Sequence, residues 1–425
     1  MSNKSLGRQV SIIGTSNLPQ RTFDDPEFAG LSIYELFAWA CHEAMNDAGI
    51  KAKDIDKLVY SQVANFITNG HTLGMCGAME EWIGMAGKPM VHIEQACASG
   101  YVAFAEAVQS VASGKYDIVI AAAVESPKDF SPHNKPAHML SPMTEYEEWW
   151  TPGLAAYDPS YYRFNGVADK CLTDEQGRLY MREFGVSESL IDDTYNAIAV
   201  NNRRNASRNE MAMMRTEYAQ IAEEHGFANV MDYMRSEHNP KITRFLRKSG
   251  NLVHNAAAGA VIVCAADIAK SFKQKPISVV DYATSTRTQR DPFCFHKMNV
   301  DVRDALYANA DVKPEEIDFM ETTVMTAGEQ LDSAEVFGFL PQGKGYQYEL
   351  DGRTCFDGDR PINTHGGDLS YGHSFGVCGL NWVGEAVMQL RGEAGARQVK
   401  NARTGLVRGM GGAHTTVATL LRTQD

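Results

Sequence analysis

The apolar residues of this chain form short continuous runs, separated by stretches in which they recur at helical spacing. The run at residues 8–14 predicts a strand, residues 31–47 predict an amphipathic helix, and residues 57–62 predict a second strand. A helix between two buried strands is typical of a β-α-β unit with parallel strands. The chain therefore begins as an α/β protein.

A second unit of the same kind begins after residue 275. It comprises a predicted strand at 276–282, a helix at 302–308 and a strand at 317–321. Between the two units, the helix predicted to end near residue 112 is followed by a continuous apolar run at 116–124, which predicts a buried strand. Predicted helices and strands therefore alternate along the chain, except in one long segment between the two units.

Two short internal similarities indicate that the units are related by duplication. Residues 48–56 and 310–318 share an alanine, a branched apolar residue and then an acidic-Ile-Asp triplet, and Glu-Ala-Val recurs at 106–108 and 385–387. A repeat this long is typical of two similar halves packed together, not of a solenoid. The prediction is an N-terminal half, an inserted loop domain and a C-terminal half, at residues 1–130 plus 251–275, 131–250 and 276–425.

The segment between the halves has a different character. Residues 131–164 combine prolines with aromatic residues and show no regular periodicity, which predicts a covering loop. Such a loop either encloses a small aromatic core or forms a lid over an apolar substrate pocket. Residues 200–208 are rich in Asn and Arg, which predicts either a solvated helix face or a local basic patch.

Composition and charge exclude several classes of protein. With 425 residues, 44% of them hydrophobic, the chain can bury a core without disulfides or structural metals. It carries 40 Lys and Arg against 53 Asp and Glu, and the net charge of −13 disfavours binding to nucleic acid or anionic lipid. No apolar run approaches the ~20 residues that span a bilayer, and the N-terminus lacks the apolar core of a signal peptide. A cytoplasmic protein is expected.

Cys97 differs from the other cysteines of the chain. None of the 8 cysteines belongs to a C-x-x-C pair, so a metal site within this chain is not expected, and most are interpreted as small buried residues. Cys97 lies where a strand is followed by a helix, so backbone N–H groups and the helix dipole would stabilise its thiolate. Its neighbours from Ala96 to Gly100 are small and leave room for a ligand. This setting suits a nucleophile that forms a thioester.

Two Gly-rich segments near the C-terminus carry further candidate residues. In residues 363–379, His373 lies in a Gly-rich turn before a helix, where it could accept a thiol proton and later polarise a carbonyl. In residues 405–414, a Gly-Met-Gly-Gly turn can direct N–H groups at an oxyanion. An isolated histidine or glycine turn is more often structural, so neither segment establishes a function alone.

Together these segments resemble the thiolase superfamily over essentially the whole chain. The matching elements are QACASG with its helix, S-G-x-x-D before an Ala-rich strand that ends at Glu125, N-x-x-G-G…G-H-x-x-G-x-x-G, and the terminal Gly-Gly turn. The sequence E-A-V-x-Q-L-R-G…R-Q-V is most similar to the sterol-carrier-protein-type thiolases and their bacterial relatives. The resemblance implies an α/β protein with a duplicated five-layered α-β-α-β-α thiolase fold, an inserted loop domain and a dimeric assembly.

The resemblance also implies the chemistry. Cys97 would accept the acyl group and His373 would be its base, in a Claisen condensation or its thiolytic reverse, with coenzyme A as co-substrate. The N–H of Cys97 and the backbone near Gly409 or Gly411 would form an oxyanion hole. Coenzyme A would lie across the loop domain and residues 248–258. The candidate contacts to coenzyme A are Arg203, Arg204, Lys248, Asn255 and Ala256.

Three positions depart from the family pattern. Thr323 occupies the place where many thiolases carry an Asn or His that donates to the oxyanion, so this donor is a hydroxyl or is missing. Val407 replaces a second catalytic cysteine, and enolate formation then needs another base or a second role for His373. His414, beyond the terminal Gly turn, is a candidate for that base and equally for a structural role. The usual G-H-P is G-H-S here, which relaxes the turn and retains the base.

The resemblance extends to partners and substrates. Altered thiolases of this branch often work with a small partner that contains an OB-fold and a zinc ribbon, which here would be a separate polypeptide. The aromatic lid and the changed middle motif suit a bulky or aromatic acyl substrate, such as 2-benzoylsuccinyl-CoA in the degradation of aromatic compounds. Three alternatives stay open: an acyl-CoA retro-aldolase on the same fold, which would use tyrosines in place of Cys97; a C-acyltransferase that works without coenzyme A; and a non-catalytic thiolase-like subunit.

Overall fold

A computed structural model describes the protein at residues 6–16, 18–22, 25–63, 75–125, 171–287, 294–412 and 415–424. The predicted covering loop at 131–164 and the candidate base His414 lie outside these ranges. Among the helices within them, none combines the length and the apolar character that crossing a lipid bilayer requires.

Nine strands of the described residues form one mixed sheet. They are β1 (Val10–Thr15), β2 (Lys57–Ser61), β3 (Met90–Ile93), β4 (Ile118–Glu125), β5 (Ala257–Ala265), β6 (Ile277–Thr286), β7 (Phe319–Thr322), β8 (Thr404–Gly411) and β9 (Thr415–Thr423). Their order across the sheet is β3-β2-β4-β5-β1-β6-β9-β8-β7. Since β1 and β6 pair only from Val10 to Ile12, the sheet consists of two half-sheets that meet at a short seam.

The helices of the described residues fall into the two predicted halves and the segment between them. They are α1 (Pro26–Ala29), α2 (Ile33–Ala48), α3 (Met75–Trp82), α4 (Ser99–Ala112), α5 (Cys171–Phe184), α6 (Glu188–Ser207), α7 (Tyr218–Glu224), α8 (Val230–Arg235), α9 (Cys294–Ala310), α10 (Ala327–Val336), α11 (Gly345–Leu350), α12 (Gly367–Ser370) and α13 (Cys378–Arg391). Helices α5 to α8 belong to the segment predicted as an insertion.

Three helical layers enclose the two half-sheets. Helix α2 packs on one face of the half-sheet β3-β2-β4-β5-β1, and α4 packs on its other face. Helix α13 contacts α4 and also β7, β8 and β9 of the second half-sheet, whose far face is covered by α9. The five layers are, in order, α2, the first half-sheet, α4 together with α13, the second half-sheet, and α9. This is the α-β-α-β-α arrangement.

Successive residues of the central strands pack alternately into two hydrophobic cores, one on each face of the first half-sheet. On β4, Ile120 and Ala122 pack against α2, whereas Val119 and Ala121 pack on the side of α4. A strand covered by helices on both faces is apolar on both faces. This double burial explains the continuous apolar run from which the strand was predicted.

The first predicted helix corresponds closely to α2. A capping box between Ser32 and Glu35 begins this helix, and Gly49, with a φ of +74°, ends it in the left-handed conformation. By contrast, the helix predicted at 302–308 is only part of α9, which begins at Cys294. Its first turns were missed because their apolar residues form a separate small cluster with Met410, away from the main core.

Candidate active site

The turn between β3 and α4 places Cys97 at the start of a helix. The preceding residue, Ala96, has a φ of +49°, a left-handed conformation that costs free energy in a non-glycine residue. The Glu94 carboxylate accepts a 2.7 Å hydrogen bond from the Ala96 amide. The Ser99 hydroxyl accepts from the Gln95 amide and donates to the Ala96 carbonyl, both at 2.6 Å. These bonds hold the turn, and Cys97 is 7% exposed.

His373 approaches Cys97 from the loop that precedes α13. Its Nε2 lies 3.0 Å from Cys97 Sγ, and its Nδ1 lies 2.6 Å from Asp368 Oδ1. The second carboxylate oxygen of Asp368 accepts the Val324 amide at 2.7 Å, which fixes the carboxylate. Both His373 and Asp368 are fully buried. The carboxylate therefore orients the imidazole and leaves Nε2 facing the sulfur.

One carboxylate and two cysteines lie beside the His373 ring. Burial by itself lowers the pKa of His373, but Cys378, Cys97 and Asp368 all raise it, and its pKa lies well above the usual histidine range. A protonated imidazole beside the Cys97 sulfur is therefore favoured. An imidazolium in this position stabilises a cysteine thiolate, which can attack a carbonyl carbon and form a thioester.

Two glycines allow the helices that follow these loops to approach closely. Helices α4 and α13 meet at Gly100 and Gly379. A Cβ on Gly379 would lie 2.2 Å from the Tyr101 amide nitrogen, and a Cβ on Gly100 would lie 2.5 Å from the Gly376 carbonyl oxygen. A side chain at either position would push the helices apart, and the sulfur and imidazole with them.

The two glycines predicted for an oxyanion hole lie in different surroundings. A Cβ on Gly411 would lie 2.4 Å from the Gln95 carbonyl oxygen and 2.5 Å from the Ala98 nitrogen. A Cβ on Gly409 would lie 2.1 Å from the Tyr101 ring. The end of β8 at Gly411 therefore adjoins the turn that carries the cysteine, whereas Gly409 makes room for a side chain of α4.

The hydroxyl of Thr323 is engaged inside the protein. It forms a 2.5 Å hydrogen bond with the Tyr101 hydroxyl. Its backbone is held by Arg408, whose carbonyl accepts the Thr323 amide at 3.0 Å and whose guanidinium donates to the Thr323 carbonyl at 2.7 Å. Burial raises the pKa of Tyr101 well above its usual value, so the phenol keeps its proton. None of these contacts joins Thr323 to Cys97.

Arg203 is a structural residue of helix α6. It is 5% exposed, and its guanidinium donates to the Ser370 hydroxyl and the Thr216 carbonyl and lies 4.4 Å from the centroid of the Tyr218 ring. The interpretation of residues 200–208 as a solvated face is therefore wrong. Helix α6 is covered by α8, α11 and α12, which bury most of its Asn and Arg side chains.

The other predicted contacts to coenzyme A differ in exposure. Arg204 forms a bidentate ion pair with Asp357, at 2.7 and 2.9 Å. Asn255 and Ala256 are buried and bond to neighbouring backbone and side chains. Lys248 is exposed, and the Arg204 side chain is 37% exposed but is held by its ion pair. Three of the five predicted contacts, Arg203, Asn255 and Ala256, are therefore buried, and their contact with coenzyme A stays a prediction.

Sequence reasoning missed three residues beside His373. Asp368 lies in the same Gly-rich segment, and its place just upstream of the histidine was the available signal. Cys378 Sγ lies 3.6 Å from His373 Nδ1. The ring centroid of His254 lies 5.5 Å from that of His373. No sequence pattern connects His254 to this site, because the contact depends on how distant segments pack.

Asp368, His373 and Cys378 also have potential metal-ligand atoms within 4.8 Å of one another. The Asp368 and His373 atoms are 2.6 Å apart, which is a hydrogen-bond distance. Two ligands that each lie about 2.0–2.2 Å from one tetrahedral ion are farther apart than this. The geometry favours a carboxylate–imidazole hydrogen bond over a metal site.

Two domain families match the chain. The thiolase N-terminal domain matches residues 10–233, and the thiolase C-terminal domain-like family matches residues 281–423. Between them they include Cys97, His373, Asp368 and the Gly-rich end of β8. The expected thiolase fold is confirmed.

Three curated relatives are similar over most of their length. Acetyl-CoA acetyltransferase from Methanothermobacter thermautotrophicus is 30% identical, over 97% of this chain and 98% of the relative. Sterol carrier protein 2 from Gallus gallus is 24% identical, over 98% and 72%. Benzoylsuccinyl-CoA thiolase subunit BbsB from Thauera aromatica is 25% identical, over 83% and 84%. The predicted likeness to sterol-carrier-protein-type thiolases is confirmed.

The solved structure of an Ltp2-ChsH2(DUF35) aldolase has the same fold. It superposes with a TM-score of 0.75 over 99% of each chain, at 18% sequence identity. At this identity the likeness shows the shared fold alone.

Proposed function

This chain belongs to the thiolase family, and from that premise we propose that it is a CoA-dependent thiolase that works through a thioester on Cys97. Family membership makes it an acyltransferase. The observation that carries the proposal is the 3.0 Å approach of Cys97 Sγ to His373 Nε2, with the Asp368 carboxylate on the other ring nitrogen.

In thiolysis, the Cys97 thiolate attacks the β-keto carbon of a β-ketoacyl-CoA. The bond between the α- and β-carbons breaks, the acyl group remains on sulfur, and the released enolate takes up a proton. The proton that the enolate takes up comes ultimately from water, and the His373 imidazolium, which has lost its counter-ion, releases one proton to water, so the number of protons is conserved. Neutral His373 then accepts the thiol proton of coenzyme A as that thiol attacks the thioester, and Cys97 leaves as a thiolate. The reverse sequence is a Claisen condensation.

Each tetrahedral intermediate places negative charge on a carbonyl oxygen, which hydrogen-bond donors must stabilise. We assign this role to the Cys97 amide together with the backbone at Gly411, because Gly411 adjoins the cysteine turn. Gly409 is the less favoured candidate, since it packs on the Tyr101 ring. Thr323 would act only indirectly, through the hydrogen bond between its hydroxyl and the hydroxyl of Tyr101.

We place the coenzyme A entrance at Lys248. This lysine is exposed, and no carboxylate of the described residues forms an ion pair with it, so its charge is free for a phosphate group. The chain then leads from Lys248 to Val253, whose carbonyl accepts the His373 amide at 2.7 Å. Asn255 and Ala256 support this segment from the interior. Arg203 and Arg204 stabilise the adjoining helix α6 and do not themselves offer a free charge.

The acyl substrate and the assembly are further parts of the proposal. A bulky aromatic acyl group is supported by the likeness to the benzoylsuccinyl-CoA thiolase subunit and by the aromatic composition of residues 131–164. We also propose a separate small partner of the OB-fold and zinc-ribbon type. Two comparisons support it: the similar benzoylsuccinyl-CoA thiolase protein is one subunit of its enzyme, and the aldolase structure of the same fold contains a ChsH2(DUF35) component. A dimer of this chain would form the core of the assembly.

Intact-mass measurement of the acylated protein tests the central claim. The full chain, incubated with acetyl-CoA and with benzoyl-CoA, should gain the mass of one acyl group, and peptide mapping should place it on Cys97. Cys97→Ala should abolish both the adduct and turnover, because the covalent route is lost. Cys41→Ala is the matched control, since Cys41 is a buried cysteine of helix α2 in the opposite core layer. That variant should acylate like the parent protein.

The same variants separate the alternatives. Carbon–carbon cleavage that survives in Cys97→Ala would support a retro-aldolase on this fold. Acyl transfer that depends on Cys97 but not on added coenzyme A would support the CoA-independent acyltransferase. A parent protein that forms no adduct, alone or with a zinc-ribbon partner, would support a non-catalytic subunit.

A further inference from the structure

A second imidazole lies beside His373. Two backbone hydrogen bonds join the segments: the His373 amide donates to the Val253 carbonyl at 2.7 Å, and the Asn255 amide donates to the His373 carbonyl at 3.3 Å. His254 is thereby the bridge partner of His373 in a parallel arrangement. Residues paired in this way project their side chains to the same side. The two ring centroids are 5.5 Å apart.

Phe375 links this second ring to the small buried cluster that contains the sulfur. Its ring is stacked on His254, with 4.5 Å between centroids and 9° between planes. The same Phe375 side chain belongs to a small buried cluster with Cys97 and Val63. Phe375 has a φ of +44°, an outlier for a bulky residue. Backbone strain of this kind concentrates at functional sites, and here it places one aromatic ring against His254 and within the cluster that contains the sulfur.

The proposed reaction needs a group that accepts the proton of the α-carbon, either His373 in a second role or another base. Condensation removes a proton from the α-carbon of an acyl-CoA, and Val407, at the place of the family's second cysteine, cannot accept one. Asp368 and Cys378 lie on the Nδ1 side of His373, at 2.6 and 3.6 Å, and are fully buried. His254, unlike these two residues, is partly exposed, as a group that contacts a substrate must be.

We propose that His254 is the second acid–base residue of this site and transfers the proton of the substrate α-carbon. The proposal rests on the thiolase function argued above. In condensation, the His254 imidazole takes the α-proton of the second acyl-CoA. The resulting enolate carbon bonds to the carbonyl carbon of the acyl group on Cys97, and the sulfur leaves as a thiolate. His254 then releases its proton to water and His373 regains one. In thiolysis, protonated His254 delivers a proton to the α-carbon of the departing enolate.

Two half-reactions measured on the same protein test this role. Exchange of the α-hydrogens of acetyl-CoA in D₂O, followed by mass spectrometry, reports proton transfer at carbon. The burst of thioester formation on Cys97 reports acylation. His254→Phe keeps an aromatic ring to stack on Phe375 but cannot take a proton, and His254→Gln keeps hydrogen bonding without titrating. Both variants should lose about 100-fold or more in exchange and change by less than about threefold in acylation. His42→Gln, an exposed histidine of α2, should change neither rate.

Each other outcome counts against the proposal in a distinct way. If both His254 variants exchange the α-hydrogens of acetyl-CoA at a rate within threefold of the parent rate, the proposal is overturned. Exchange and acylation that fall by the same factor would assign His254 a purely structural role. A parent protein that acylates Cys97 but exchanges no deuterium would also contradict it and would leave the thiolase function intact. A parent that forms no thioester on Cys97 would instead refute the proposed function itself.

Discussion

At the scale of single residues, the reactivity proposed for Cys97 depends on a carboxylate that does not contact the sulfur. Asp368 acts through the imidazole, and its position comes from a sharp change of chain direction. Gly366 and Gly367 have φ values of +116° and +57°, which residues with side chains rarely adopt. The short helix α12 that follows turns Asp368 back towards His373. The Gly-Gly pair in this motif therefore serves the orientation of the histidine.

Asp368→Asn should weaken the thiolate–imidazolium pair. Because the carboxylate raises the pKa of His373, its loss lowers that pKa, so less imidazolium is present near neutral pH and less thiolate is stabilised beside it. The rate of Cys97 alkylation by iodoacetamide should fall about 10- to 100-fold at pH 6, as expected for a shift of about one to two pKa units. At pH 9, where a thiol ionises without help, the two proteins should react at similar rates.

The dependence on pH is what identifies the effect as electrostatic. The side-chain oxygen of the asparagine can still accept the hydrogen bond that the Val324 N–H now donates to the Asp368 carboxylate. The loop should therefore keep its shape. An alkylation rate that falls equally at pH 6 and pH 9 would indicate a changed conformation or access, and would contradict the charge argument.

At the scale of elements, the site is assembled where helix α4 meets helix α13. Each helix follows one of the two loops that carry the reacting groups, so the distance between the helices determines the distance between sulfur and imidazole. The contact is between backbones, at Gly100 and Gly379. Both glycines belong to the family motifs, and the reason for them is packing: no other residue permits this approach.

Gly379→Ala should separate the helices. Its Cβ would lie 2.2 Å from the Tyr101 amide nitrogen and 2.5 Å from the Gly100 carbonyl carbon, both of which are rigid backbone atoms. We expect a loss of about 3 kcal/mol in the free energy of unfolding, by urea denaturation, and a lower rate of thioester formation. Gly384→Ala, on the same helix, is the control, because its Cβ meets only the Ser16 carbonyl oxygen at 3.5 Å. That variant should be equally stable or up to about 1 kcal/mol more stable. Equal stability of the two variants would refute the packing argument.

At the scale of the whole molecule, the two halves are joined by more than the seam between β1 and β6. The side chain of Arg391, at the end of α13, is 2% exposed and reaches into the N-terminal half. Its guanidinium forms a 2.8 Å ion pair with Asp47 and donates to the carbonyls of Ile13 and Lys275. Asp47 also accepts the Thr15 amide. A single side chain thus connects the central helical layer to α2, β1 and the start of β6.

Arg391→Met should lower the free energy of unfolding, but the two halves should still unfold together. The substitution keeps most of the side-chain volume but leaves the Asp47 carboxylate without its cation, and we expect a loss of about 2 kcal/mol in the free energy of unfolding. Unfolding in urea should remain a single transition, because the sheet and the central helices still connect the halves. Arg235→Met is the control: that arginine is 44% exposed and pairs with surface carboxylates, so its loss should cost less than about 1 kcal/mol. Two separate transitions in Arg391→Met would show that the halves are independent units.

Much of the fold could be predicted from local patterns, and the failures are informative. Helix α2 has its own capping box and apolar stripe, so its sequence is sufficient to locate it. The interpretation of residues 200–208 as a solvated face is wrong because α6 packs against several other helices, although Asn and Arg side chains are normally solvated. Arg203 is buried with hydrogen bonds and an aromatic ring as its partners, and such partners cannot be read from neighbouring positions.

The sequence by itself determined the alternation of strands and helices, the duplication, the absence of a C-x-x-C metal motif and the motifs around Cys97 and His373. These are short-range properties, since periodicity and turn chemistry act over a few residues. The tertiary structure decided that Cys97 and His373 meet, although 276 residues separate them, that Asp368 orients the imidazole, and that His254 lies beside the His373 ring. The physical reason is that charge state and proton transfer depend on distances of a few ångströms, which only the packing of distant segments establishes.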